Sequence, residues 1–184
     1  PGLSPQEIQT YACAGIATDH ECVQFEEALE KCRAGMKILI REGSAAKNMD
    51  GIIPGLVESG LPLEHFLLCT DDKHLEDIWK EGHISHCVRK CIALGVKPAA
   101  AIAMASIHTA RTYGLTGYGA IAPGYHAYLL ILYDLETFTV ASVYKDGRLV
   151  TPQWMEQLEE TEIPENLLHT VHFQEITPSQ LALP

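Results

Sequence analysis

The chain has 184 residues, 47% of them hydrophobic, enough for one domain with a packed core and too apolar for a disordered chain. Lysine and arginine total 13 against 24 acids, a net charge of −11, which excludes the basic face that a nucleic-acid partner requires. No apolar run approaches the ~18 residues of a membrane span, and no signal-peptide pattern opens the sequence, so a cytoplasmic protein without a membrane partner is expected.

In chain order, Ser4, Pro5 and Glu7 form a capping-box start, predicting a helix to about Ala14 that Gly15 ends. A very short apolar segment, IATDHE, follows. VQFEEALEKCRAG reads as an amphipathic helix stopped by Gly35, and MKILIRE as a strand. SAAKNMDGIIPGLVESG reads as a helix interrupted at Pro54, and FLLCTDD as the next strand. HLEDIWKEG and HISHCVRKCIALG predict two short helices split by glycine. PAAAIAMASIHTARTYG predicts one longer helix, apolar nearly all round and therefore buried. Alternating strands and helices predict βαβ units on a parallel sheet. From about residue 117, AYLLILYD and FTVASVYKDGRLV predict a small antiparallel sheet with a turn at Asp146-Gly147. Beyond Pro152 the chain reads as an acidic arm with one strand, LLHTVHF.

Six cysteines (13, 22, 32, 69, 87 and 91) form no C-x-x-C pair, so buried free thiols are expected. Cys87 and Cys91 share a helical face, but no histidine or second pair completes a metal site there.

Three successive strands end in polar clusters: Thr18-Asp19-His20-Glu21, Arg41-Glu42-Gly43-Ser44 and Thr70-Asp71-Asp72. In parallel α/β sheets, functional groups gather where strands end. His20 and Asp71 pair an imidazole with a carboxylate, which together can hold a divalent ion, although two ligands do not close a site. Each cluster alone is also explained by helix capping: Glu21 near Val23, Ser44 as an N-cap, Asp71 and Asp72 before the next helix. Three clusters on successive ends favour an active-site rim, which His83, just after Gly82, is placed to face.

GIATDHE, IREGSAAKN, FLLCTDDKH, EGHISHCVRKCIALGV and GAIAPGYHAYLLIL, in this order, resemble the adenine deaminase family of the amidohydrolase superfamily. The resemblance implies an α/β fold: part of a (β/α)8 TIM-type barrel, about strands 6–8 with their helices, then a small antiparallel β segment. It divides the chain into barrel (1–116), part of a small β domain (117–150), and an acidic extended arm leading towards a further domain (151–184). It also implies a binuclear divalent-metal site, manganese or iron, with His20 as a metal ligand and Asp71 as metal ligand and catalytic acid–base. Adenine would be the substrate, with Glu21, Arg41, Ser44 and His83 as candidates for binding it. The ligands of the earlier barrel strands are absent, so the chain resembles a C-terminal part of the barrel, inactive alone. Two alternatives stay open: a non-catalytic module that associates with another copy through open sheet edges, as a homo-oligomer, and an amidohydrolase acting on another cyclic amidine or amide.

Overall fold

The computed structural model describes residues 2–157, 162–168, 170–172 and 176–181. They fall into two compact units, Pro1–Val150 and Thr151–Pro184.

The first unit begins with α1 (Pro5–Cys13), where Ser4 and Glu7 cap each other's backbone N–H groups as expected. Three parallel strands follow: β1 (Thr18–Asp19), β2 (Lys37–Arg41) and β3 (Phe66–Cys69), in the order β1-β2-β3. Thr18 stands opposite Lys37, and Arg41 opposite Cys69. The crossovers are α2 (Phe25–Arg33) and α3 (Met49–Ser59). After β3 come α4 (Leu75–Glu81), α5 (Ile84–Ala93), α6 (Pro98–Ala105) and α7 (Ile107–Thr112). The core forms where Ile38 and Ile40 of β2 and Phe66 and Leu68 of β3 meet α3, α5 and α6. Each such side chain contributes about 1.5–3 kcal/mol by leaving water.

The second sheet is antiparallel: β4 (Leu129–Asp134), β5 (Thr139–Lys145) and β6 (Arg148–Leu149). Phe138 joins the core cluster, with Leu132 and Val140 packed against it. Asp146 and Gly147 turn β5 into β6 with φ of +51° and +74°, the successive positive values that a two-residue hairpin turn demands.

Three sequence expectations need correction. The helix expected across 44–60 starts only at Met49 and runs unbroken through Pro54. Its N-cap is Asn48, because residues 43–48 fold back on β2: Asn48 N–H donates to Arg41 O, and Gly43 N–H to Ala46 O. Burial of Ile52, Ile53 and Leu56 outweighs the hydrogen bond that Pro54 cannot donate. The long apolar helix is two helices, broken at Ser106. There the Ser106 hydroxyl donates to Ile102 O, and Gly119 lies so close that a Cβ on it would sit 2.7 Å from the Ile107 Cα. Only Ala101, Met104 and Ala110 along this stretch are fully buried.

The second unit carries α8 (Pro152–Glu156), capped by the Thr151 hydroxyl, and α9 (Glu165–Leu168). A 3-10 turn spans Pro178–Leu181. Of the strand expected over LLHTVHF, Leu167 and Leu168 are helical instead. His169 and Phe173 lie outside the described residues. No described helix is long and apolar enough to cross a membrane.

Candidate functional site

The three parallel strands end on one rim. β1 stops because the Asp19 carboxylate accepts the backbone N–H of Glu21 at 2.8 Å, turning the chain outward at His20. In β2, alternation puts Arg41 on the face of Lys37 and Leu39, and Glu42 on the buried face of Ile38 and Ile40. Beyond β3, Asp71 adopts the left-handed conformation with φ of +46°, which an aspartate tolerates at a cost.

Four candidates meet there. Arg41 Nη1 donates to Asp71 Oδ2 at 2.7 Å, and Nη2 approaches Glu21 Oε2 at 3.1 Å. The other Glu21 oxygen lies 3.3 Å from His20 Nε2. One guanidinium thus bridges carboxylates from the ends of β1 and β3. Burial alone would lower the Arg41 pKa; the hydrogen bond to Asp71 and the charge of Glu21 raise it instead. Its Nε is buried and unpartnered among the described residues.

Ser44 and His83 do not join this network. The Ser44 hydroxyl donates to Asp77 and accepts the backbone N–H of His74 at 2.9 Å, tying the loop after β2 to the start of α4. His83 Nε2 pairs with the Thr70 hydroxyl at 2.9 Å. It also lines an apolar cavity of about 440 Å³ between α5, α6 and the second sheet.

The adjacent aspartates divide their tasks. Asp71 faces Arg41, whereas Asp72 accepts the backbone N–H groups of Ala45 at 3.0 Å and Ala46 at 3.3 Å. Those bonds hold the Asp72 carboxyl below its ordinary range. Neither aspartate caps a helix: the N-cap residue of α4 is His74, and it makes no side-chain cap hydrogen bond; nor does Gln24, the N-cap of α2.

Sequence reasoning assigned no role to four residues. Glu42 is buried; Oε1 accepts Lys90 at 2.9 Å, and Oε2 has no partner among the described residues. Its signal was available, since the alternation of β2 puts position 42 in the buried register. Gly43 is required by space: a Cβ there would lie 1.6 Å from Asp72 Oδ1. Asp19 and Lys31 form a buried pair at 2.9 Å beneath the rim. Of the thiols expected to be buried, Cys22, Cys87 and Cys91 are; Cys32 and Cys69 are half-buried and Cys13 is exposed. All six are free, and burial pushes Cys87 up to about 11 and Cys91 to about 12.

His20 nitrogen and Asp71 oxygen are donors of the kind a divalent ion accepts. Among the described residues, no group of three or more His, Cys, Asp or Glu could hold a metal. The pair therefore fits part of a ligand set and not a closed one.

Acids, an imidazole and an arginine stand along the carboxyl-end rim of a parallel sheet, the place where α/β proteins gather functional groups. The model of the amidohydrolase family matches residues 3–150, and the chain belongs to that family. Within it, the chain is 45% identical over 183 residues to the adenine deaminase of Desulfitobacterium hafniense, covering 100% of this chain and 32% of that protein. It is 47% identical over 150 residues to the adenine deaminase of Kosmotoga olearia, covering 82% of this chain and 26% of the relative. The chain thus spans about a third or less of the length of these relatives. Among solved structures, phenylurea hydrolase B superposes with a TM-score of 0.57 at 16% identity, covering 89% of this chain and 45% of that one. The β-aspartyl dipeptidase of Fervidobacterium islandicum AW-1 does so at 0.52 and 22%, covering 68% and 35%. At such identities these two speak for the fold alone.

Proposed function

We propose that this chain supplies the His20–Asp71 rim of a metal-dependent aminohydrolase that converts adenine and water to hypoxanthine and ammonia. The observation that carries the reading is the continuous link His20–Glu21–Arg41–Asp71 across the ends of β1, β2 and β3. It occurs in a chain 45% identical over its length to a curated adenine deaminase. In this reading the chain forms about strands 6–8 of a (β/α)8 barrel, residues 117–150 part of a small β domain, and 151–184 an arm.

His20 and Asp71 would each hold a divalent ion, manganese or iron, in a binuclear site whose further ligands lie on strands outside this sequence. Such an ion lowers the pKa of bound water to about 7 and so supplies hydroxide at neutral pH. Asp71 would accept the water's proton, the step for which a carboxylate near the attacking oxygen is suited. Arg41 donates to Oδ2 at 2.7 Å and so orients the Asp71 carboxylate at the rim. The water-derived oxygen would bond to C6 of the purine, and the Asp71 carboxyl would pass its proton to the amino group as the C6–N bond breaks, releasing ammonia. Glu21 and Arg41, at the rim, would bind the purine edge. Ser44 would act on substrate by exchanging its present partners, and His83 through the ring nitrogen that Thr70 does not engage.

The test is ammonia release. Protein carrying the full ligand set should deaminate adenine, whereas the 184-residue chain alone should release no ammonia above a no-protein control. Activity only on another cyclic amidine or amide would move the substrate assignment. No activity in either form, with self-association of the chain, would favour a non-catalytic module. The apolar, exposed Leu130, Ile131 and Tyr133 of edge strand β4 support that second reading.

A further inference from the structure

Lys31 lies on α2, outside every cluster that the motifs single out. It is nonetheless buried, with 1% of the residue exposed. Its ammonium meets two carboxylates, Asp19 Oδ2 at 2.9 Å and Glu27 Oε1 at 2.9 Å. A buried lysine is held in place only when its charge is fully met, so this contact is directional and not a passing surface pair. The second Asp19 oxygen accepts the Glu21 backbone N–H at 2.8 Å and the Cys22 thiol at 3.4 Å. One carboxylate therefore ties helix α2 to the backbone on which His20 and Glu21 stand. Glu21 in turn holds His20 and Arg41.

We infer that Lys31 is a positioning residue: by gripping Asp19 it sets the turn that aims His20 and Glu21 at the rim. Loss of the ammonium frees the Asp19 carboxylate to rotate towards water, and the Glu21 N–H loses a fixed acceptor. The consequence for turnover rests on the proposed deaminase reading; the consequence for local structure does not.

The experiment compares Lys31→Met, Lys31→Arg and Glu27→Gln by hydrogen exchange with mass-spectrometric detection, in protein that also carries the remaining ligands. In Lys31→Met, segment 18–23 should exchange about tenfold faster while strand segment 36–42 changes less than about twofold. Lys31→Arg should restore most of the protection, and Glu27→Gln should leave 18–23 unchanged, because the Asp19 contact survives and the amide oxygen still accepts the Val23 backbone N–H that Glu27 holds at 3.4 Å. In turnover, Lys31→Met should lower kcat about 100-fold with little change in KM, the mark of misplaced groups. Equal acceleration of both segments would mean that Lys31 only stabilises the fold, and would overturn the inference. So would a Glu27→Gln variant as loosened at 18–23 as Lys31→Met. Should Lys31→Met fail to fold, Asp19→Asn carries the test, since it keeps an acceptor oxygen but not the charge that Lys31 grips. An unchanged 18–23 segment in that variant also overturns the inference. If the unaltered protein releases no ammonia from adenine, the functional reading falls while the exchange pattern still decides the role of Lys31.

Discussion

The two sheets of the first unit are written in nearly the same alphabet and behave differently. KILIR in β2 buries Ile38 and Ile40 completely, whereas LLILYD in β4 leaves Ile131 52% exposed and Tyr133 80% exposed. Helices cover the first sheet; the second touches the core through Phe138, Leu132 and Val140. Each sheet also carries an aspartate in the left-handed conformation. Asp146 sits in a tight hairpin turn beside a glycine, where the turn itself demands positive φ. Asp71 has no such turn; its conformation goes with the contact to Arg41 at the rim. Equal backbone geometry thus has a topological cause in one sheet and points to chemistry in the other.

The largest contrast should therefore separate these two aspartates. In the active enzyme, Asp71→Asn should cut turnover ~100- to 10,000-fold with the fold intact, because an amide cannot accept the water's proton. Asp146→Asn should leave turnover unchanged and stability within about 0.5 kcal/mol. Steady-state rates and urea midpoints decide; equal loss in both variants would erase the distinction.

The contrast in covering should appear next. Ile40→Ala should destabilise by about 2–5 kcal/mol, as a buried branched side chain leaves a cavity. Ile131→Ala should cost about 0.5 kcal/mol, since the side chain is half in water already. Comparable losses in urea unfolding would show that β4 is covered in the working protein by something outside this sequence.

Gly43→Ala probes the rim's loops. A Cβ there meets Asp72 Oδ1 and, at 2.9 Å, the backbone oxygen of Thr70, so the loop after β2 must move. A loss of about 1–3 kcal/mol is expected, with weakened turnover. Unchanged melting would mean that the two loops are not locked together.

The smallest effect concerns pH. The Ser44 hydroxyl lowers the Asp77 carboxyl below its ordinary 3.8. A lowered folded-state value adds stability that is present above the ordinary value and lost as pH falls through the folded one. Ser44→Ala should therefore slightly reduce stability at pH 7 and flatten its decline in acid. An acid limb as steep as before would assign that decline to other carboxylates, Glu81 beside Lys73 among them.

Local rules were legible in the sequence wherever local physics decides. The capping box of α1, the glycine stops at Gly15 and Gly35, the period-two strands and the Asp146-Gly147 turn each depend on neighbours within a few residues. So did the gathering of three strand ends, because alternating strands and helices admit a parallel order. Pro54 and Ser106 ran the other way. Packing held a helix through the proline, and a crossing glycine loop sat where an apolar helix broke. By itself the sequence determined which residues stand at the strand ends. Only the tertiary structure decided their partners: Arg41 between Glu21 and Asp71, Asp72 on the neighbouring loop, Ser44 on α4, Lys31 beneath Asp19. These contacts join residues 12 to 33 positions apart, or meet across a buried face, and hydrogen-bond geometry at that range is set by how the elements pack.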